Sequence, residues 1–255
     1  MGVLDEVVGE TTEGKYSKVV KWWQEQSKNT REEYLTLLYD YRILFAKESA
    51  GIEGNTLTTK DSKGIFDDDK VSNYTGTVTS LVEIKNQKFL FNTAINRLAD
   101  KESITPDLIR KFHRTLMYGV YDDTRWNKGE RPGKFKIGDY CTGQSEVGSY
   151  PEDVEEDITN LCNEITEFSS DILLIASYFH LQFESIHPFA DGNGRLGRML
   201  LNYYLMLNNY PPCILYEEDK NTYYLALDVW DRTGKLDGFK KFLMEQTIKT
   251  WKHIL

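Results

Sequence analysis

The sequence predicts a mainly α-helical bundle with one small β element. Apolar residues recur at spacings of three and four over most of the 255 residues, which is the pattern of one buried helix face. Between residues 122 and 151 this pattern stops, and glycines and short β-prone pieces such as Lys134–Ile137 take its place. No internal repeat and no linker divides the chain, so the helices are expected to share one core.

Composition narrows the functional classes. A hydrophobic content of 40% with 13% aromatic residues is enough for a sizeable core. The formal charge of −9 argues against a nucleic-acid partner, which needs a basic stripe. No apolar run approaches the ~20 residues of a membrane span. The three scattered cysteines fit reduced thiols, and the acidic first ten residues do not resemble a signal peptide, so a cytoplasmic protein is expected.

Helix signals can be placed in order along the chain. Thr30 offers an N-cap for a long helix that ends near Gly51, and Thr105 followed by Pro106 marks another helix start. The polar stretch 58–69 is expected to be a loop that includes one helical turn at most. Further helices are expected over 16–26, 74–99, 151–168, 173–183, 196–207, 221 onwards and 236–251.

The stretch from Ser185 to Arg198 carries the chemistry. It lies between two apolar helical patterns, so it is a polar loop that runs into the start of a helix. A helix start offers unpaired N–H groups and the positive end of the dipole, which suit a phosphate. Gly192 and Gly194 allow a ligand to approach the backbone closely.

Four side chains of this loop suit nucleotide chemistry. Arg195 and Arg198 share one side of the first helical turns, and each can bind phosphate oxygens with its fork of N–H groups. Asp191 supplies a hard oxygen ligand for Mg²⁺, and His187 can accept a proton from a hydroxyl. Taken one at a time, each side chain could have a purely structural role, as a turn residue, a solvated arginine or a core histidine. Together, in one loop between two apolar helices, they favour the functional interpretation.

The sequence HPFADGNGRLGR at 187–198 resembles the HPFx[DE]GNGRxxR motif of the Fic family, whose members mostly transfer AMP from Mg-ATP to a hydroxyl side chain of a target protein. The resemblance implies a Fic-type helical bundle with a small β-hairpin flap. Both arginines are kept, which favours AMP transfer over the phosphate transfer of related Doc-type proteins. The implied roles cover the motif: His187 as general base, Asp191 as Mg²⁺ ligand, Gly192, Asn193 and Gly194 as the phosphate-binding nest, Arg195 on the phosphates and Arg198 on the γ-phosphate.

A second stretch, Ser49 to Asn55, resembles the [S/T]xxxE[G/N] inhibitory motif of Fic proteins that carry their own inhibitory helix. The resemblance implies that Glu53 pairs with Arg198 and displaces the γ-phosphate, because one guanidinium cannot hold a carboxylate and a phosphate bidentately at once. A glutamate that merely helps to cap a turn is the alternative. The expected organisation is an N-terminal helical extension over 1–48 and a Fic domain over 49–255, with the inhibitory segment at 49–55.

Two further parts of the site follow from the resemblance alone. A flap within 135–150 is expected to bind the target by strand addition, with Val147, Gly148, Ser149 and Tyr150 as candidate contacts. The family often has an arginine where this chain has Lys136. Tyr223 and Tyr224 resemble positions that line the adenine and ribose pocket, although a structural role suits them equally well.

Other activities remain open at this point. The same site could transfer another nucleotide, a phosphate or phosphocholine, or it could remove AMP. A metal hydrolase would need a third His or acid that the motif does not supply. A non-catalytic, nucleotide-sensing regulator is the remaining class. The expected partners are ATP, Mg²⁺ and a protein with an exposed Tyr, Thr or Ser hydroxyl, and the oligomeric state, including a homo-oligomer, is left open.

Overall fold

The computed structural model describes residues 11–139, 141–142, 145–146, 148–167 and 171–255, and most of them are helical. None of the helices in these ranges is long and apolar enough to cross a membrane. The elements, in chain order, are α1 Thr12–Glu25, α2 Arg31–Leu37, α3 Tyr39–Ile52, α4 Thr59–Asp68, α5 Val78–Ala99, α6 Pro106–Leu116, α7 Asp123–Asn127, β1 Cys141–Thr142, β2 Ser145–Glu146, α8 Val154–Glu167, α9 Ile172–Ile186, α10 Asn193–Leu207, α11 Lys220–Thr233 and α12 Asp237–Thr250, with 3₁₀ turns at Glu217–Asp219 and Lys252–Ile254.

The centre of the bundle is the hairpin of α9 and α10. Helix α10 is buried on nearly every side, since it contacts α3, α5, α6 and α9. Helices α8, α11 and α12 pack on α9. A helix that is buried all round needs apolar residues on all faces, and α10 supplies them with residues such as Leu200, Leu201 and Tyr203. The polar loop between α9 and α10 is therefore carried by the most rigidly packed pair of helices.

The N-terminal helices close over the end of this bundle. Helix α1 packs on α12, and Trp22 lies with its ring centroid 5.1 Å from that of Trp251. Tyr41 of α3 also stacks on Trp251, with ring centroids 5.9 Å apart. The indole N–H of Trp251 donates to the carbonyl of Pro212 at 2.7 Å, which satisfies the polar atom of this buried ring.

Helix α3 lies between two apolar clusters. Tyr41, Phe45 and Ile52 belong to the main core. Its other face joins a smaller cluster shared with α4 and α5, which contains Ile43, Ala46, Ala50, Leu57, Ile65, Phe66 and Ile84. Packing on both faces fixes the end of α3, where Ser49 and Glu53 lie, against the start of α10.

The mainly α prediction is confirmed, and three local details differ from it. The helix expected to run from Thr30 breaks at Leu38 into α2 and α3, although the Thr30 cap is present and forms a capping box with Glu33. The stretch expected to be a loop is α4, which Thr58 caps. The span from 122 to 151 contains the short helix α7. The β element is the antiparallel pair β1–β2, within the predicted 135–150 region.

Candidate active site

The loop between α9 and α10 is held by its own atoms. His187 ends α9 in the left-handed region (φ 50°), and its N–H donates to the carbonyl of Phe183 at 3.1 Å. Gly192 precedes α10 at φ 84°, a conformation that suits glycine. The side-chain amide of Asn193 donates to the carbonyl of Phe189 at 2.7 Å and accepts from its N–H at 2.9 Å. Asn193 thus fixes the loop, and Gly192, the N-cap residue of α10, has no side chain with which to bond the first N–H groups of that helix.

His113 supports this loop from beneath. Its ring stacks on Phe189 with centroids 3.7 Å apart. Nδ1 accepts from the N–H of Gly133 at 2.8 Å, so the ring proton is on Nε2, which lies 2.9 Å from the carbonyl oxygen of Asp191. Burial lowers the pKa of His113 to about 3, which keeps it neutral. His113 therefore has a structural role, because it holds the loop through Phe189 and the carbonyl of Asp191.

His187 is half-buried beside the same loop. Burial, followed by the positive charge of Lys136, lowers the pKa of His187 to about 4. The imidazole is therefore neutral at pH 7 and able to accept a proton. On either side of His187 the main chain is tied to the flap region: Lys136 donates its N–H to Pro188 at 2.9 Å, and Ser149 donates to Ile186 at 2.9 Å.

The predicted flap contacts lie near His187 as far as the structure describes them. Gly148 has φ 117°, and a Cβ there would lie 2.5 Å from Nζ of Lys136 and 3.1 Å from Cβ of His187, so only glycine fits. The next residue, Ser149, donates its N–H to the carbonyl of Ile186. The side chain of Tyr150 is exposed. Val147 lies outside the described residues.

Arg195 is buried and bound to two carboxylates. Its Nη2 donates to Oδ1 of Asp191 at 3.2 Å and its Nη1 to Oε1 of Glu83 in α5 at 2.5 Å. Asp191 also forms an ion pair with Arg125 of α7 at 3.3 Å. Glu83 and Arg125 were not predicted from the sequence, because each lies far along the chain in a stretch without a motif.

Arg198 is 1% exposed and is held by the end of α3. Its Nε donates to Oγ of Ser49 at 2.9 Å, and its Nη2 donates to the carbonyl of Ser49 at 2.8 Å and to Oε1 of Glu53 at 2.7 Å. A Cβ on Gly194 would lie 2.5 Å from Oε1 of Glu53, so a larger residue here would have to displace the Glu53 carboxylate. The structure thus brings together the two motifs that the sequence singled out.

Electrostatics favour an ionised Glu53 and a neutral Glu184 near the same guanidinium. Burial acts to raise the pKa of Glu53, but the attraction of Arg198 outweighs it, and the pKa is lowered overall. Glu184 of α9 is more deeply enclosed, and burial raises its pKa to about 8. Glu184 was not predicted as a site residue. Its position as an acid within an otherwise apolar helix could have indicated it.

Tyr223 and Tyr224 occupy different environments. Tyr223 is buried; its hydroxyl lies 2.9 Å from Nε2 of His180, and the guanidinium carbon of Arg198 lies 5.9 Å from its ring centroid. Tyr224 is 44% exposed and donates to the carbonyl of Ile52 at 3.4 Å. The first therefore supports Arg198 from behind, and the second lies at the surface beside the end of α3.

Residues 103–205, which include α6, α9 and nearly all of α10, match the model of the Fic/DOC family. The chain carries a Fic/DOC domain. It is 28% identical over 204 residues to "Protein adenylyltransferase Fic" of Drosophila persimilis, an alignment that covers 79% of this chain and 38% of that relative. The relative from Drosophila willistoni shows the same identity over 204 residues, with 79% of this chain and 39% of that protein covered. The chain thus spans well under half the length of these curated relatives.

Solved structures show the same fold. A Fic domain-containing signalling protein from Bacteroides thetaiotaomicron superposes with a TM-score of 0.79 at 24% identity, covering 95% of this chain and 94% of that one. Fic-1 (residues 134–508) from C. elegans gives a TM-score of 0.73 at 21% identity, covering 94% of this chain and 68% of that one. The Fic-type helical bundle is therefore established for nearly the whole chain.

The Fic/DOC domain offers donors for a phosphate ligand. Nε of Arg195 and Nη1 of Arg198 are buried, and neither has a hydrogen-bond acceptor in the described part of the chain. Buried polar groups are normally paired, so two orphaned guanidinium nitrogens call for an explanation. Phosphate oxygens are acceptors of the kind that guanidinium donors bind.

A divalent metal would depend on the ligand's own oxygens. Within the described ranges, no group of three or more His, Cys, Asp or Glu side chains could hold a metal ion. Asp191 alone offers a carboxylate in the loop. Mg²⁺ commonly takes one or two carboxylates and completes its shell with phosphate oxygens and water, so the residues fit a metal that arrives with a nucleotide.

Proposed function

We propose that this protein is an adenylyltransferase that transfers AMP from Mg-ATP to a Tyr, Thr or Ser hydroxyl of a target protein. The observation that carries this proposal is the pair of buried donors on Arg195 and Arg198 without acceptors in the described part of the chain, on a helix whose N-cap is a glycine, beside a neutral His187. The names of the Drosophila relatives support it. In the proposed organisation, residues 49–255 form the Fic domain and 1–48 an N-terminal extension. A cytoplasmic location is part of the proposal, since Cys162 and Cys213 are free thiols.

Each side chain has a distinct part in the reaction. The triphosphate lies over the N–H groups of Gly192, Asn193 and Gly194, with Arg195 on the phosphates and Arg198 on the γ-phosphate. Asp191 would hold Mg²⁺, which, when bound, neutralises charge on the phosphate oxygens.

His187 acts on the target hydroxyl. As the hydroxyl oxygen attacks the α-phosphorus, its proton passes to a nitrogen of the neutral imidazole. The bond between the α-phosphorus and the bridging oxygen breaks, and pyrophosphate leaves. The Lys136 ammonium favours the neutral form of His187 before the reaction.

Inhibition by the 49–55 segment is the second part of the proposal. Ser49 and Glu53 hold two of the three nitrogens of Arg198, so the γ-phosphate has to compete with an ionised carboxylate. The adenosine part of ATP is proposed to lie towards Tyr224, which is exposed, with Tyr223 behind Arg198.

The target is proposed to bind along the flap. Gly148, Ser149 and Tyr150, together with Val147, would supply the edge to which an extended target segment adds. The two main-chain hydrogen bonds that tie Lys136 and Ser149 to either side of His187 support this, because they place the base of the flap next to the proton acceptor.

The reaction class can be tested with labelled ATP. We expect the Glu53→Gly variant, incubated with a mixture of candidate target proteins, to place label from the α-phosphate on protein and none from the γ-phosphate. Label from the γ-phosphate alone would show phosphate transfer instead, and no label from either would remove the transferase proposal. His187→Ala in the same background is the control for site-specific chemistry.

Removal of AMP is a second candidate for the same site. One observation favours it: the Glu53 carboxylate is ionised and lies close enough to affect the pKa of His187. A carboxylate and an imidazole could together orient a water molecule for attack on a phosphodiester. AMP released from a modified target by wild type, and lost in Glu53→Gly, would support this activity.

A further inference from the structure

Arg125 binds two acidic side chains at the edge of the active site. Asp122 caps α7 by accepting from the N–H of Arg125 at 2.8 Å, and its other oxygen accepts from Nη1 of the same arginine at 2.8 Å. Nη2 of Arg125 lies 3.3 Å from Oδ2 of Asp191. The guanidinium therefore spans from its own helix cap to the proposed metal ligand.

Both oxygens of Asp191 have a cationic partner. Oδ2 faces Arg125 at 3.3 Å, and Oδ1 accepts from Arg195 at 3.2 Å. Mg²⁺ binds a carboxylate oxygen directly, at about 2.0–2.1 Å, and it would repel a guanidinium placed on the same oxygen. A divalent ion that binds either oxygen therefore meets the repulsion of a guanidinium already in place, and its binding is favoured when one of the two arginines moves away.

The structure indicates which arginine gives way. Arg195 has a 5% exposed side chain, and Glu83 binds it from the other side. The Arg125 side chain is 34% exposed and belongs to a five-residue helix, with Asp122 able to retain its other nitrogen. Moving Arg195 would leave a buried charge unpaired, whereas moving Arg125 exposes a partly solvated one.

We propose that Arg125 is an exchangeable counter-cation for Asp191: it neutralises and orients the carboxylate in the ligand-free protein and is displaced by the divalent ion that arrives with the triphosphate. This inference rests on the proposed function, which assigns Asp191 to the metal. It makes Arg125 a positioning residue that competes with the metal.

One consequence is specific to this arrangement. Removing Arg125 should strengthen metal binding, whereas removing a residue that helps to bind the nucleotide should weaken it. The direction of the change in metal affinity therefore distinguishes an Arg125 that competes with the metal from an Arg125 that contacts a phosphate. A purely structural role of α7 predicts no change in metal affinity.

The test measures Mn²⁺ binding, as a spectroscopic stand-in for Mg²⁺, by electron paramagnetic resonance at saturating ATP. The background is Glu53→Gly with His187→Ala, in which ATP is not consumed. We expect Arg125→Ala and Arg125→Gln to lower the half-saturating Mn²⁺ concentration about two- to fivefold, the range of a partly exposed ion pair. Melting temperatures of both variants show that the fold is retained, and Arg125→Gln keeps a side chain of similar shape.

Arg110 provides the matched control. It too is about one-third exposed and bridges two acids, Asp107 and Glu155, at 2.9 Å each, but it does not contact Asp191. Arg110→Ala should leave the half-saturating concentration unchanged. If both Arg125 variants behave like Arg110→Ala, or need more Mn²⁺, the inference is wrong. If the background protein binds no Mn²⁺ with ATP, or if Asp191→Asn binds it equally well, the proposed function itself fails.

Discussion

Arg195 and Arg198 lie one turn apart on α10, and their partners come from different parts of the fold. The hydrogen bonds of Arg195 go to Asp191 in its own loop and to Glu83 on α5. Three hydrogen bonds of the Arg198 side chain go to Ser49 and Glu53 at the end of α3. Arg195 is thus tied to its own loop and to α5, whereas Arg198 is tied to the end of α3. In the proposed mechanism, inhibition therefore acts through the second arginine alone.

The largest expected effect comes from Arg198 once Glu53 is absent. In the Glu53→Gly background, Arg198→Ala should lower kcat/KM for AMP transfer about 10²- to 10³-fold, the usual loss when one preorganised donor to a transferring phosphate is removed. Transfer of labelled AMP measures it. Arg198→Lys should recover little, because a lysine cannot form the bidentate contact. Full activity of either variant would show that Arg198 does not hold a phosphate.

Next in size is the contrast between the two glutamates. Glu53→Gly should raise transfer about tenfold to a hundredfold over wild type, since it removes a charge-assisted hydrogen bond that competes with the γ-phosphate. Glu83→Gln should lower transfer by about tenfold or less, since Arg195 loses the partner that positions it. The same label assay compares them. If Glu83→Gln raises transfer as Glu53→Gly does, Glu83 inhibits rather than positions its arginine, and the proposed difference between Arg195 and Arg198 is wrong.

A smaller activation is expected at Ser49. Ser49→Ala removes one neutral acceptor, Oγ, and leaves the carbonyl and Glu53 in place, so transfer should rise about two- to tenfold. Ser62→Ala is a suitable control, because Ser62 is a buried serine of α4 without a contact to Arg198. An increase equal to that of Glu53→Gly would show that the Glu53 carboxylate inhibits no more strongly than the Ser49 hydroxyl.

The last contrast concerns the free energy of unfolding and compares the two carboxyl groups near Arg198. The pKa of Glu184 is raised to about 8, so its folded form retains a proton that the unfolded chain loses above about 4.5. Stability from this group is full below pH 4.5 and is lost as pH rises through 8. Between pH 5 and pH 8, the free energy of unfolding of Glu184→Gln should therefore rise relative to that of wild type by about 1–3 kcal/mol.

Glu53 should show the opposite pH dependence in the same denaturation experiments. Because its pKa is lowered, its contribution is present above the unfolded pKa and is lost as pH falls through the folded one. Glu53→Gln should be less stable than wild type at pH 7 and converge with it in acid. Parallel curves for both variants would contradict the assignment of one charged and one neutral carboxyl.

What the sequence predicted correctly depended on local patterns. The α9–α10 hairpin follows from apolar spacing, and the meeting of Glu53 with Arg198 follows from two recognisable motifs. Helix α4 was predicted as a loop because its few apolar residues, Ile65 and Phe66, lie in a polar stretch and find their partners only on α3 and α5. The local composition there gave no sign of a buried face.

The unpredicted members of the site are tertiary partners. Glu83 lies 112 positions from Arg195, and nothing in the local sequence of α5 distinguishes it from a solvated glutamate. Arg125 lies in a span that lacks helical periodicity, and α7 forms there because Asp122 caps it. Such pairs depend on the relative placement of helices, which spacing along one helix does not encode.

Competition between Glu53 and the γ-phosphate is tested most directly by comparing ATP with ADP. Affinities for both, with Mg²⁺, can be measured by calorimetry for His187→Ala and for His187→Ala with Glu53→Gly. Because ADP has no γ-phosphate, removal of Glu53 should strengthen ATP binding about tenfold or more and leave ADP binding nearly unchanged. An equal gain for both nucleotides, or none for either, would contradict the claim that Glu53 closes a triphosphate site at Arg198.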